Sequence, residues 1–217
     1  MSSERLTKEQ ILYEDAYIIA VDKPAGLMVE PDAHGHPNLV QEIERIMQHK
    51  PKIKSGLGVV HRLDRVVSGV IVFAKTPMAL KSLNEQIANR KVKKIYHAWV
   101  EGQLEGKSGK WDMPLGRSFD RKRASKEGLE LKAATTFWKV LNFEGNRTML
   151  ELDLKTGRFH QIRAHCAFNG HPIVGDTSYG STHSYTGNSI ALHSFSYTFT
   201  HPKSGEKMTI TSNNYGN

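Results

Sequence analysis

The chain has a single cysteine, Cys166, among 217 residues. No intrachain disulfide can form, and neither a four-cysteine zinc site nor a CxxC redox pair is available. Long hydrophobic runs are also missing. No apolar stretch approaches the length of a membrane span, and the opening MSSERLTKEQ lacks the apolar core of a signal peptide. These absences predict a reducing, cytoplasmic location and no membrane partner. Acidic residues are in short supply: 22 Asp and Glu stand against 30 Lys and Arg, for a formal net charge of +8. That balance points to an acidic partner, with nucleic acid first, although charge speaks to attraction and not to fold. The length is enough to bury a substantial core, and the 38% hydrophobic content is that of an ordinary globular chain.

The chain is organised around Gly58–Thr76, which reads GVVHRLDRVVSGVIVFAKT. Val70–Ala74 is short, wholly apolar and rich in β-branched residues, which predicts a buried strand. Just before it sits His61-Arg62-Leu63-Asp64-Arg65, a knot of charge where a core strand would not ordinarily begin. Arg62 and Arg65 flank the one carboxylate, and opposite charges favour the ionised form of Asp64. Ser68-Gly69 then supplies a sharp turn into the strand. A rigid strand with one charged loop at its end is how folds place catalytic groups. The same composition also describes a solvated turn with a surface ion pair. The rest of the chain has to decide between them.

Taken in order, Leu6–Gln10 is a short lead-in to a strand at Tyr17–Val21. Asp22-Lys23-Pro24-Ala25-Gly26 follows as a turn. Leu39, Val40, Ile43, Ile46 and Met47 fall at helical spacing behind Asn38 as N-cap. Residues 48–58 read as a basic, glycine-containing loop. Thr76-Pro77 opens a second helix, with Leu80, Leu83 and Ile87 as its buried stripe and Arg90–Lys94 as cations at its C-terminal end. Ile95–Val100, Thr135–Leu141 and Arg147–Leu154 read as strands. Leu104–Gly116 reads as loop or hairpin. Arg117–Lys126, with five basic residues and one acid, reads as a solvated loop. Phe159–Asn169 has helical spacing and stops at Gly170, a natural C-terminal cap. Leu192–Thr200 alternates, with Phe195, Tyr197 and Phe199 on one face. No repeat, low-complexity segment or linker divides the chain. The predicted fold class is α+β: a single domain over 1–217 around a large, mostly antiparallel mixed sheet with flanking helices.

A second dense stretch runs from Lys155 to His165 and continues through Gly170–Gly180. At helical spacing His160, Arg163 and Ala167 share a face distinct from the apolar one. Arg163 is therefore placed to pair with a carboxylate from another element, and Asp64 is the obvious candidate. Here the sequence resembles a known family. His61–Gly69 is similar to the HRLDxxTSG motif of the RluA family of pseudouridine synthases. Asp22–Gly26 resembles that family's DKPxG segment, and Lys94–Gly102 its KxYxAxVxG strand. Thr156–His165, with Gly170–Ile173 and Gly175-Asp176, resembles its TGRxHQIRxH…GHPIxGD block. Leu192-His193 and His201-Pro202 also fit. Five motifs in the family's order span most of the chain.

The resemblance implies roles for particular residues. Asp64 is the expected catalytic carboxylate, Tyr96 the surface on which the target uracil stacks, and Arg163 the ion-pair partner that holds Asp64. Leu192 walls the pocket, Arg62 takes the place of the flipped nucleotide, and His61, Arg158 and His160 contact substrate. Arg117, Arg121, Lys122 and Arg123 of the basic loop are expected at the RNA backbone. Two departures stand out: Val67 replaces the usual Thr, and Glu30 precedes Pro31 where many members carry His. No separate N-terminal RNA-binding domain is expected, only a bare, monomeric catalytic domain acting on ribosomal or transfer RNA. Turning uridine into pseudouridine involves no net redox change, so the expected cofactor is none and no metal is expected. It does require a carboxylate, acting on sugar or base. The target must leave the stack, and an aromatic such as Tyr96 gives the extruded base a surface.

Three rival readings are weaker. A zinc enzyme would draw on the eleven histidines, but His160 and His165 are not spaced i, i+4 and no HExxH occurs. A hydrolytic glycosidase needs two carboxylates, and the best second one, Asp176 in Gly175-Asp176-Thr177, reads as a turn or cap residue. A non-catalytic basic RNA-binding module accounts for the charge but leaves Asp64 without a purpose.

Overall fold

The computed structural model describes residues 5–47, 51–54, 56–187 and 189–214. Strand β1 (Ile11–Glu14) turns through Asp15 into β2 (Ile18–Lys23), and the two pair antiparallel. The Asp15 carboxylate closes this turn by accepting from the amides of Tyr17 and Ile18, both at 2.8 Å. That local bond is why a short acidic residue sits between two β-branched runs. Helix α1 (Leu39–Ile46) begins as predicted, with the Asn38 side chain accepting from the Gln41 amide. The predicted loop at 48–58 lies partly outside the described residues; its end forms β3 (Gly58–Val59), antiparallel to β4 (Ser68–Ala74). β4 also pairs antiparallel with β2, from Ile18↔Ala74 to Lys23↔Gly69.

Thr76 caps α2 (Pro77–Ala88) by accepting from the Ala79 amide, and Pro77 sits in the first turn, where its missing N–H costs nothing. Leu83 is buried as predicted and Leu80 packs half-buried against the core, but Ile87 is only half-buried and the fully buried positions beside Leu83 are Ala79 and Gln86. Gln86 is drawn inward because its amide bonds the backbone N–H and C=O of Thr200. The cations expected at the end of α2 lie elsewhere. The helix stops at Ala88, Arg90 takes a left-handed φ of 56°, and Lys93-Lys94 open the next strand.

By contacts the chain divides into two compact units, Met1–Lys93 with Ser194–Asn217, and Lys94–His193. The second unit begins in β5 (Lys93–Glu101) and continues through β6 (Ser108–Asp112), β7 (Leu115–Arg117), β8 (Ala124–Ser125) and β9 (Leu129–Lys132). β10 (Thr135–Glu144), β11 (Arg147–Leu154) and α3 (Gln161–Phe168) complete it. Its main sheet is ordered β5-β11-β10-β6, all antiparallel, and β8-β7-β9 form a separate small sheet. Leu150, Leu152 and Leu154 alternate inward on β11, as a half-buried strand requires.

The chain returns to the first unit along β12 (Leu192–Thr200), predicted with these boundaries, and ends in β13 (Lys207–Thr211). The first unit's strands follow the order β1-β2-β4-β12, with β13 on β12 and β3 on β4. Ile18, Ala20, Val70, Val72, Tyr197 and Phe199 form its core beneath Ala79 and Leu83 of α2. Burying each large side chain is worth about 1.5–3 kcal/mol. The fold is α+β, built on a mostly antiparallel sheet with flanking helices.

Candidate active site

In the first unit the motif 61–69 is a turn between β3 and β4. Its backbone closes where the Val67 amide donates to the Asp64 carbonyl at 3.0 Å. Asp64 is half-buried, while Arg62 and Arg65 are exposed on either side. His61 lies flat on Tyr197, with ring centroids 4.3 Å apart, and its Nε2 accepts from the Val72 amide. Accepting at Nε2 leaves the imidazole proton on Nδ1.

The segment Asp22–Gly26 explains how this turn is held. Lys23 is fully buried, and its ammonium donates to the carbonyls of Pro24 (2.8 Å) and Arg65 (3.2 Å). Gly26 donates its amide to the same Arg65 carbonyl at 2.7 Å, and Arg65 Nε returns a bond to the Gly26 carbonyl. A lysine and a glycine that read from sequence as a turn thus brace the backbone next to Asp64. Gly69 has a φ of 112°, and a Cβ there would stand 2.4 Å from the carbonyl oxygen of Ser194. Only glycine permits that approach. Arg62 Nη1 meets Glu30 Oε2 at 3.1 Å, the two side chains being 71% and 42% exposed.

In the second unit the block from Thr156 to Asp176 surrounds a buried arginine. Arg163 forms a two-pronged pair with Asp176, Nε to Oδ2 at 2.7 Å and Nη2 to Oδ1 at 2.8 Å. Asp176 is only 1% exposed. Asp176 stands at the cap position read from the sequence, its carbonyl accepting from the Tyr179 amide at 2.9 Å to close the short 3-10 turn Thr177–Tyr179. Its carboxylate makes no cap bond there and bonds Arg163 instead. The reading of His160 is corrected: α3 starts at Gln161, and His160 precedes it with a left-handed φ of 49°. That conformation, not helical spacing, brings its Nε2 to accept from Arg163 Nη1 at 3.1 Å. Its Nδ1 then donates to the Tyr179 hydroxyl at 3.1 Å, and the Tyr179 ring lies under the guanidinium at 5.0 Å. Sequence reasoning missed Tyr179, whose only signal was its place in the dense block.

Gln161 and His165 of the same block are structural. The Gln161 carboxamide joins Thr156, the Arg158 amide, the Thr135 carbonyl and the Thr136 hydroxyl. Thr136 donates in turn to His165 Nδ1, and His165 Nε2 donates to the Met113 carbonyl. Burial pushes the His165 pKa down, so it is the neutral form that completes this relay. Arg158 donates its Nε to the Ala133 carbonyl at 3.0 Å. Tyr96 is buried in β5, opposite Leu152 of β11. Leu192 is buried at the start of β12.

The predicted solvated loop at 117–126 is instead a hairpin, in which Gly116 pairs with Ser125 and Arg117 with Ala124. Its tip holds Arg121, Lys122 and Arg123 at the surface. The Arg117 guanidinium covers the Phe159 ring at 4.3 Å, and Phe159 stacks on His160 at 3.7 Å. Among the described residues no group of three or more His, Cys, Asp or Glu side chains is arranged for a metal ion, and no helix is long and apolar enough to cross a membrane.

The first unit thus holds a half-buried carboxylate in a braced turn, and the second holds a buried arginine cluster and a basic hairpin. The profile of the RNA pseudouridylate synthase family matches residues 17–168, and the chain belongs to that family. An uncharacterised RNA pseudouridine synthase of Synechocystis is 38% identical over 210 residues, covering 92% of this chain and 63% of that protein. The ribosomal large subunit pseudouridine synthase D of Nitrosomonas europaea is 38% identical over 208 residues, covering 91% of this chain and 59% of its own length. The chain thus spans about three-fifths of the length of these relatives. A solved structure, human RNA pseudouridylate synthase domain containing 1, matches with a TM-score of 0.75 at 25% identity, over 94% of this chain and 82% of that one.

Proposed function

We propose that this chain isomerises uridines in structured RNA to pseudouridine, its two units working as one catalytic domain. The observation that carries the reading is the braced turn of residues 61–69, which offers one half-buried carboxylate ahead of a buried strand. In the reaction the N1–C1′ bond breaks, the base turns, and C5 joins C1′. Asp64 supplies the carboxylate, either as a nucleophile or as a base on the ribose. Tyr96 stacks on the extruded uracil, beside Leu192, and Arg62 fills the space the nucleotide leaves. Arg163, oriented by Asp176 and His160, orders Asp64. His61, Arg158 and His160 contact substrate. Arg117, Arg121, Lys122 and Arg123 meet phosphates, which suits a chain of net charge +8.

Ribosomal RNA is the first target in this reading, supported by relatives named for the large ribosomal subunit. Transfer RNA is the second, the enzyme acting as a cytoplasmic monomer. The test is Asp64→Asn assayed on ribosomal and transfer RNA by pseudouridine mapping. We expect turnover to fall by at least about 10²–10⁴-fold, the worth of a positioned acid–base group, with RNA binding retained. Near-normal turnover by the variant would sink the mechanism, and binding without any isomerisation by the parent chain would favour a non-catalytic RNA-binding module.

A further inference from the structure

The tip of the β7–β8 hairpin carries an aromatic ring that the fold does not use. Phe119 is 79% exposed, more than any other large hydrophobic side chain among the described residues. The turn that presents it is tightly bonded. Ser118 pairs its amide with the Arg123 carbonyl at 2.8 Å, and its hydroxyl accepts from the Arg123 amide at 3.0 Å. Asp120, the one acid between Arg117 and Lys126, is used inside the turn. It accepts from the Ser118 hydroxyl at 2.5 Å and from the Lys122 amide at 3.0 Å. The surroundings of the ring are therefore cationic: Arg117, Arg121, Lys122 and Arg123.

The base of the hairpin is also fixed. Arg117 covers Phe159 at 4.3 Å, the Ala124 amide donates to the Tyr179 hydroxyl at 2.6 Å, and Arg123 reaches the Ser178 carbonyl. Phe159 and Tyr179 both touch His160, the neighbour of Arg163. The exposed ring is thus carried on a rigid element tied to the arginine cluster. The turn backbone that carries the ring needs no ordering on binding, and cations around it favour a polyanion whose faces stack.

We propose that Phe119 is an RNA-stacking residue, its ring accepting an unpaired base of the bound RNA while the neighbouring cations hold the flanking phosphates. The inference rests on the proposed function for its ligand, but not on Asp64. It predicts different signatures for the ring and for its cations. Phe119→Ala weakens binding of a stem-loop RNA with an unpaired loop by roughly five- to a hundredfold, without changing the log–log salt slope. Arg121→Gln lowers that slope by about one. Phe119→Trp restores affinity, and its added emission is quenched by the stem-loop but not by a fully paired duplex of equal length. The measurements are salt-dependent anisotropy and fluorescence titration, with sedimentation velocity on each variant. Unchanged affinity of Phe119→Ala for the stem-loop overturns the proposal, as does an equal loss on the duplex. A shift in oligomeric state with RNA affinity unchanged also overturns it, assigning the ring to a second copy of the chain. Pseudouridine formation by the parent chain on the same stem-loop is scored separately. Its absence beside an intact Phe119 effect would count against the isomerase reading alone.

Discussion

In the motif 61–69 the charged side chains lie at the surface, with Arg62 and Arg65 exposed and Asp64 half-buried. Rigidity there comes from the backbone, through the carbonyl of Arg65 bonded by Lys23 and Gly26. In the block 156–176 the arrangement is reversed. Arg163 and Asp176 are buried and bonded to each other, and the neighbouring His160 is held by its side chain. One motif presents charge, and the other stores it. Substitutions of exposed charges should then change turnover with little effect on stability, whereas substitutions in the buried cluster should change both.

The sharpest test of that division is the buried pair. Removing one partner of a desolvated ion pair leaves the other charge uncompensated, at roughly 3–5 kcal/mol. Arg163→Met and Asp176→Asn should each lose stability on that scale in denaturant titrations, and their combination should lose less than the sum. Arg62→Ala, from an exposed pair, should lose no more than about 1 kcal/mol. Comparable losses from Arg62→Ala and Arg163→Met would break the comparison.

The second unit stores charge at another point as well. Glu101 accepts from the Ser181 hydroxyl at 2.5 Å and from the amides of Thr182 and His183, while His183 Nδ1 lies 3.0 Å away. Burial alone would raise its pKa, but the bonds from Ser181 and His183 outweigh it and hold the carboxyl at about 2. A folded pKa below the ordinary value of 4.5 stabilises the fold fully above about pH 4.5. The stabilisation is lost as pH falls from there through about 2. Glu101→Gln should flatten that part of the stability–pH profile; an unchanged acid limb would show that Glu101 is not the group being titrated.

Two glycines carry the contrast into the backbone. At Gly69 a Cβ would collide with main-chain atoms of Ser194, whereas at Gly157 its nearest neighbour would be the Lys94 ammonium at 3.4 Å. Gly69→Ala should cost roughly 2–3 kcal/mol through the close approach and the positive φ. Gly157→Ala should stay within about 0.5 kcal/mol. Similar melting shifts in the two variants would show that the Ser68-Gly69 approach is not rigid.

Much of this was legible in the sequence, for identifiable reasons. Val70–Ala74 and Leu192–Thr200 announced strands because their side-chain patterns match a buried and an alternating strand. Asn38 and Thr76 announced helix starts because capping is a local bond. β6, β8 and β9 were not legible: Ser108–Asp112 and Ala124–Ser125 are short and polar, and Leu129–Lys132 is wholly exposed, so none carries an apolar period. The Arg163–Asp176 pair was hidden for a different reason. The chain must turn through Gly170 and Gly175 before Asp176 comes back to α3, and nothing in local spacing reports that return. Lys23 shows a third limit, since its composition reads as a turn while its ammonium is buried on backbone carbonyls.

The smallest expected effect concerns Glu30, and it tests whether the first motif really presents charge. Glu30 Oε2 stands 3.1 Å from Arg62 Nη1, with both side chains well exposed. An exposed pair of this kind is worth about 0–1 kcal/mol, because water screens it and both side chains lose freedom to make it. Glu30→Gln should therefore leave the denaturation midpoint nearly unchanged. RNA should respond differently, since the carboxylate holds Arg62 back from the RNA and repels the phosphate backbone. We expect affinity to rise a few-fold in low salt, with the gain vanishing near 1 M salt, where the screening length is about 3 Å. The check is anisotropy of one RNA with parent and variant across a salt series. A variant that lost stability and gained no affinity would place Arg62 among the structural charges, with Arg163.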